Sequence, residues 1–344
     1  MRTLFFSVLS VLAMTVCAQG TDTTFVAKSN PFVKYKYLGD PGALVDGNTL
    51  YVYAGHDQCP NNQERYVMNE WSILSTTDMK TWHEHSYKLK AVDFPWASGQ
   101  AWASQCIKGR DGKYYWYITA EHKTIHGKAV GVAVSDSPTG PFVPCEKPIV
   151  TNDMTTAYTR ISWDDIDPTA IVDDDGTAWL IWGNTQLYMC KLKPNMTEMD
   201  GDIIPLQIKG IKMPANPKEW NEEVEKNGRY PESEFYTEAP WIHKHKGRYY
   251  LSFSIGFPEK TAYAVSDNIM GPWEYKGVIN EIAGNCNTNH HAIFQFKGQW
   301  YFLYHNGGLN THGASYRRAL CLDKLEYDKK GDIKRIQMTT EGIW

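Results

Sequence analysis

The sequence has no Cys-x-x-Cys pair, and past Cys17 its six cysteines (Cys59, Cys106, Cys145, Cys190, Cys286 and Cys321) are widely and irregularly spaced. That spacing excludes an ordinary thiolate metal site. An even count permits disulfides in an exported chain, but a domain of this length has core enough without them. Mostly free, buried cysteines are therefore expected. Beyond the first twenty residues no run is apolar enough to cross a bilayer. An excess of charge is lacking as well: 35 Lys and Arg against 39 Asp and Glu leave a net −4. That balance gives no reason to expect nucleic acid or an anionic membrane as partner. Helical periodicity is nearly missing; residues 217–228, "PKEWNEEVEKNG", form one helix-like patch, expected as a surface insertion.

Aromatics are plentiful, at 13% with 13 Trp and 21 Tyr. β-rich core packing accounts for them; sugar-stacking faces would add to the number, and composition does not separate the two. The opening "MRTLFFSVLSVLAMTVCAQG" has one Arg, an apolar run and Val16-Cys17-Ala18. It reads as a signal peptide over residues 1–18, so a secreted or periplasmic protein is expected. Lipidation of Cys17 is the alternative, disfavoured by the bulk of Val16.

One phrase is written twice. "GDPGALVDG" (39–47) and "DIDPTAIVDDDG" (165–176) share Asp-Pro, a small residue, Ala, aliphatics, Asp and a Gly turn. Three more segments align with them, starting at Trp102, Glu238 and His290. Each start is followed by a Gly turn and an aromatic-rich strand such as "TLYVYAG", "KYYWYIT" or "RYYLSFS", which is the pattern of a hairpin. The second halves recur too: "VAVSDSPTGPF" (132–142) matches "YAVSDNIMGPW" (263–273), and "LSTTDMKTW" (74–82) is a looser copy. Five units, starting roughly 50 to 70 residues apart, predict an all-β five-bladed β-propeller over residues 30–344, with about four strands per blade.

In a propeller the first strand of each blade lines the axis, so Asp40, Trp102, Asp167, Glu238 and His290 should meet at one channel mouth. Three acids together are costly through repulsion and desolvation unless chemistry uses them. Glycoside cleavage uses two carboxyls, an acid for the leaving oxygen and a base or nucleophile on the opposite face, and a third can tune the acid.

The phrases already quoted, with "FPWASGQAWASQCI", "RISWDDIDPTAIVDDDG", "YTEAPWIHKHKGRYYLSFS" and "NHHAIFQFKGQWYFLYHNGGL", resemble glycoside hydrolase family 43 over roughly Lys34 to Ile343. They are most similar to its arabinoxylan arabinofuranohydrolase and xylosidase members. The resemblance implies an inverting enzyme with Asp40 as general base, Asp167 as pKa modulator and Glu238 as general acid. It implies that Arg318, with Arg317 as fallback, contacts the acidic cluster. It places His290 on the axis, where a structural calcium is admitted and no other cofactor is required. Gly39 stands where relatives often have Ala, a change read as the loss of a methyl only.

Among the other candidates, Trp102 and Trp96 are expected to stack on sugar, and Asn289 and Asn306 to bond its hydroxyls. "GHD" (55–57) either lines the mouth or is an exposed loop, and "HKH" (243–245) reads as surface. The first expectation for function is a secreted α-L-arabinofuranosidase trimming arabinoxylan or arabinan. A β-xylosidase acting on xylo-oligosaccharides is the near alternative, and a non-catalytic sugar-binding propeller the distant one. A retaining fructan hydrolase fits poorly, because its Asn-Asp-Pro, Arg-Asp-Pro and Glu-Cys starts are here Gly-Asp-Pro, Ile-Asp-Pro and Glu-Ala-Pro.

Overall fold

Five sheets, antiparallel but for one short parallel pair at Ile208–Lys209, stand around one axis in a computed structural model, which describes residues 21–159, 161–213, 235–309 and 314–344. The leader with Cys17 and the patch at 217–228 lie outside the described residues. The inner strands of blades 1 to 5 are Leu38–Asp46, Ser104–Lys108, Thr169–Val172, Trp241–His245 and His291–Phe296. Each packs beside the next, and the fifth returns to the first, so the ring is closed. The recurring second-half phrases are the third strands of blades 1, 2 and 4: Met68–Thr76, Lys128–Ser135 and Lys260–Ser266. The expected architecture is therefore the observed one.

Blade 5 has three strands among the described residues, ending in Ala319–Leu325. Residues 30–38 run along that last strand. The Phe32 N–H donates to Leu320 O at 2.9 Å and the Leu38 N–H to Arg318 O at 2.9 Å. The Leu322 N–H donates to Asn30 Oδ1 at 2.8 Å. The ring is thus latched by joining the start of the chain to its last blade.

Both faces of each blade are buried, which explains why the strands read as aromatic runs and not as apolar–polar alternation. In Tyr114–His122, Tyr114, Trp116 and Ile118 pack towards blade 1, while Tyr115 and Tyr117 pack towards blade 3. Trp71, Trp82, Trp116, Trp182 and Trp273 are all fully buried. Truncating any of them to Ala would cost about 3–5 kcal/mol, so most of the tryptophan content is spent on holding blades together. The six cysteines past Cys17 are all free, and all but the half-buried Cys145 are buried. Among the described residues no helix is long and apolar enough to cross a membrane.

Candidate active site

The repeated Asp-Pro marks a repeated backbone feature. Asp40, Asp167 and Ala239, each followed by proline, have φ of 51°, 60° and 56°. A non-glycine residue in this left-handed region costs of order 1–3 kcal/mol and persists only when its surroundings hold it. Here the amide of each is tied down. Asp40 N–H donates to His305 Nδ1 at 3.0 Å, Asp167 N–H to Thr119 Oγ1 at 3.0 Å, and Ala239 N–H to Asp167 Oδ2 at 3.0 Å. In blade 1 the turn is a bulge, since the pairing slips between Gly39 and Gly42. A bulge re-aims a side chain away from the sheet, and Asp40 points into the cavity at the mouth.

This sets a register different from the expected one. Asp46, His245 and Phe296 close their inner strands against Thr49, Arg248 and Gln299. Counting back the same six residues from each reaches Asp40, Ala239 and His290. Glu238 therefore stands one residue upstream of the position held by Asp40. The five starts still converge, because Asp40, Trp102, Asp167, Glu238 and His290 all line one cavity of about 640 Å³.

His290 is the hub of its floor. Its Nε2 lies 2.6 Å from Glu238 Oε1 and 3.9 Å from Asp167 Oδ2, and its Nδ1 lies 3.3 Å from Asp40 Oδ1. Asp40 and Glu238 thus face opposite nitrogens of one imidazole. Burial opposes charge on His290, but Asp40, Asp167 and Glu238 outweigh it and raise its pKa well above the ordinary histidine value. Burial pushes Glu238 up, yet the His290 charge and the bonds from His290 and Asn184 leave its pKa lowered. The Asn184 bond, Nδ2 to Glu238 Oε2, is 2.6 Å long. Burial lifts the Asp167 carboxyl to about 8; His290 opposes the rise, and Glu238 and Asp40 add to it. These shifts favour a proton on His290 and Asp167 over one on Glu238.

Arg318 closes the other side. It bonds Asp40 through one terminal nitrogen and grips Asp57 with Nε and the other nitrogen, both at 2.9 Å. All three side chains are nearly fully buried. Gly39 makes this possible. A Cβ there would lie 2.4 Å from Arg318 Nε and 2.5 Å from its Cζ. The missing methyl is thus the space the guanidinium fills, which corrects the reading of Gly39 as incidental. His305 takes no charge, because burial and the Arg318 charge push its pKa well below the usual value.

Several expected contacts are absent from the cavity. Trp96 does not line it; its ring stacks on His122 and packs against Phe94 in the core between blades 1 and 2. Arg317 points away, donating to the Pro60 and Gln63 carbonyls, the latter at 2.6 Å, so it clamps a loop. Asn289 is fully buried, and its Nδ2 donates to Glu281 O at 2.9 Å. Asn306 caps its own turn through the Gly308 N–H. His243 is buried beside Tyr250 and bonds Tyr327, so it is not a surface residue. Trp102 does line the cavity, with Lys128 Nζ 3.9 Å from its ring centroid. Asn184, Glu259 and the half-exposed Trp163 and Phe257 line the cavity without having been expected there, whereas Asp57, which one of the two readings of its motif put at the mouth, lies behind Arg318. The "GHD" motif was the one hint of Asp57.

Ligand atoms of Asp167, Glu238 and His290 lie within 4.8 Å of one another. Calcium takes six to eight oxygen ligands. This set offers two carboxylates and one imidazole, which would hold a calcium ion only with further oxygen donors completing its shell and with the imidazole releasing its proton.

Comparison with known proteins identifies relatives of the chain and of its fold. The family model of glycosyl hydrolases family 43 matches residues 28–333. A β-xylosidase of Xylanibacter ruminicola is 32% identical over 88% of this chain and 97% of its own length. An arabinoxylan arabinofuranohydrolase of Paenibacillus polymyxa is 30% identical over 92% of this chain and 52% of its own. A crystal structure of a family 43 β-xylosidase/α-arabinofuranosidase from a compost metagenome, with xylotriose and in a calcium-free form, superimposes with a TM-score of 0.72. It is 27% identical and covers 91% of this chain and 98% of that one.

Proposed function

The chain belongs to glycosyl hydrolase family 43, and on that premise we propose that this glycoside hydrolase removes terminal pentosyl units by a single, inverting displacement. The observation that carries this reading is the placement of Asp40 and Glu238 against opposite nitrogens of His290 on one cavity floor. Asp40 takes a proton from the water that attacks the anomeric carbon. Glu238 gives a proton to the departing oxygen. Inversion requires the two carboxyls to flank the sugar with room for that water, and a separation across an imidazole suits it. Arg318 holds Asp40 in place, and Asn184 holds Glu238.

The first assignment of the sugar is α-L-arabinofuranose, cut from arabinoxylan or arabinan. A second reading, β-xylosidase on xylo-oligosaccharides, is supported by the relative of that name, which this chain matches along 97% of its length. Residues 30–344 form the catalytic domain in this reading, exported by the leader at 1–18. A non-catalytic sugar-binding role does not fit a family 43 hydrolase.

The test is release of nitrophenol from the α-L-arabinofuranoside beside the β-D-xyloside, with proton NMR of the first product. The expected result is faster cleavage of the arabinofuranoside and an inverted anomer. Preference for the xyloside selects the second reading, and a retained anomer overturns the mechanism.

A further inference from the structure

Two adjacent arginines part at the edge of the cavity, and the displacement uses only one of them. Arg318 faces Asp40 and Asp57. Arg317, 1% exposed, turns the other way. Its guanidinium donates to the carbonyls of Pro60 and Gln63, the latter at 2.6 Å, and lies 3.7 Å from Cys59 Sγ. All three residues belong to the loop 58–67, which joins Thr49–Asp57 to Met68–Thr76.

That loop has little apolar packing of its own. The Gln58 N–H donates to Val67 O at 2.7 Å across its ends, and the Gln63 N–H to Pro60 O at 3.0 Å at its tip. Of its residues only Cys59 is buried, and a segment with so few buried contacts opens easily unless it is tied down. The planar fork of an arginine reaches two carbonyls at once and fixes both position and angle, whereas an ammonium is a single point of attachment.

The loop contributes one residue to the cavity wall, Tyr66. Its ring lies edge-on to Tyr316, with centroids 4.9 Å apart, and to Trp102 at 6.1 Å. Arg318 Cζ lies 5.2 Å from its centroid. Blades 5, 1 and 2 thus present one arc of rings on the side of Asp40. The half-exposed Trp163 and Phe257 stand on the other side, with Asn184 and Glu238.

We propose that Arg317 is a positioning residue of the sugar site: by clamping the loop 58–67 to blade 5, it fixes Tyr66 as the wall against which the pentosyl unit is held. The proposal rests on the reading that such a unit binds between Asp40 and Glu238. A ring at that place offers the apolar face of the sugar a matching surface and keeps bulk water from the side where one water must attack. The wall touches the sugar alike before and during displacement, so its loss raises KM more than it lowers kcat.

The experiment is steady-state kinetics of Arg317→Gln, Tyr66→Ala and the double variant on the nitrophenyl α-L-arabinofuranoside and β-D-xyloside. Each single variant should raise KM by about tenfold and hold kcat within about threefold of wild type. The double variant should be no worse than Tyr66→Ala, because Arg317 acts through Tyr66. Arg317→Lys should recover part of the loss. A wild-type KM in Arg317→Gln, or losses that multiply in the double variant, overturns the proposal and leaves Arg317 a support of the fold alone. Should Arg317→Gln fail to fold, the same cycle is run with Arg317→Lys and read by the same criterion. Titration with free arabinose and xylose, followed by tryptophan fluorescence, needs no turnover. If wild type cleaves neither glycoside, the assigned activity is refuted; a parallel loss of pentose affinity in Tyr66→Ala and Arg317→Lys would still uphold the clamp, and undiminished affinity in Arg317→Lys would refute it.

Discussion

Nε2 of His290 lies 2.6 Å from Oε1 of Glu238, and in the resting site this contact holds a proton on the ring and leaves the carboxyl anionic. The expected outcome of His290→Asn is therefore a rise in the Glu238 pKa. An opposite charge at this range lowers a carboxyl by about one to three units, so its removal should carry the alkaline limb of the rate profile to higher pH. Stability should respond with its own sign. The pKa of His290 is raised on folding, so its contribution is complete below the ordinary value of about 6.5 and fades as pH rises through the raised value. The difference in Tm between wild type and the variant, followed from pH 5 to 9, checks this.

Asp167→Asn should show little effect at neutral pH. Burial holds Asp167 protonated up to about 8, and an amide oxygen can still accept the Ala239 N–H. The rate profiles of variant and wild type should coincide below pH 7. They should part above 8, where the ionised Asp167 of wild type opposes ionisation of Glu238 and the limb of the variant falls earlier. Separation of the profiles already at pH 6 would mean that Asp167 carries its charge throughout.

Gly39→Ala should disable the site. The added methyl must push the Arg318 guanidinium off Asp40 and Asp57. Breaking a buried ion pair costs about 3–5 kcal/mol, and a catalytic group misplaced by an ångström can lose about 100-fold in rate. Calorimetry with kinetics should show both a lower Tm and a lower kcat. Wild-type values would mean that the backbone yields instead.

Calcium binding at the His290 cluster would require the imidazole to shed its proton, so affinity there should rise with pH. Titration calorimetry with calcium chloride from pH 6 to 9 checks this; a binding heat that does not change with pH would require a donor set other than the one around His290.

The five blades were legible because the hairpin phrase repeats, and the three acids because Asp40 and Asp167 directly precede a proline, and Glu238 stands two residues before one, at the strained turn. Register was less legible: the Ala-Pro at 239–240, not Glu238, matches Asp-Pro in backbone conformation, and sequence spacing tolerated the slip. Asp57, Asn184 and Glu259 were harder still. An antiparallel hairpin returns its second strand to the end where its first began, so residues at or just past the ends of Thr49–Asp57, Ala178–Trp182 and Arg248–Ile255 reach the same mouth. Gly55, Gly183 and Gly256 mark those strand ends in sequence. Trp96 was misplaced because a tryptophan near a mouth and a tryptophan in a core read alike until the packing is seen.

The latch between residues 30–38 and the last blade bears on biosynthesis. Asp40 and Arg318 lie 278 positions apart, so the nascent chain carries the Asp40 carboxylate through four blades of translation before the matching guanidinium leaves the ribosome. The early blades can form their hairpins as they emerge. The catalytic floor cannot assemble until the final strand swings round to meet residues 30–38, and contacts of such long range form late and slowly. A pause or a premature stop before the last strand of blade 5 would yield a chain with most of its blades and none of its chemistry.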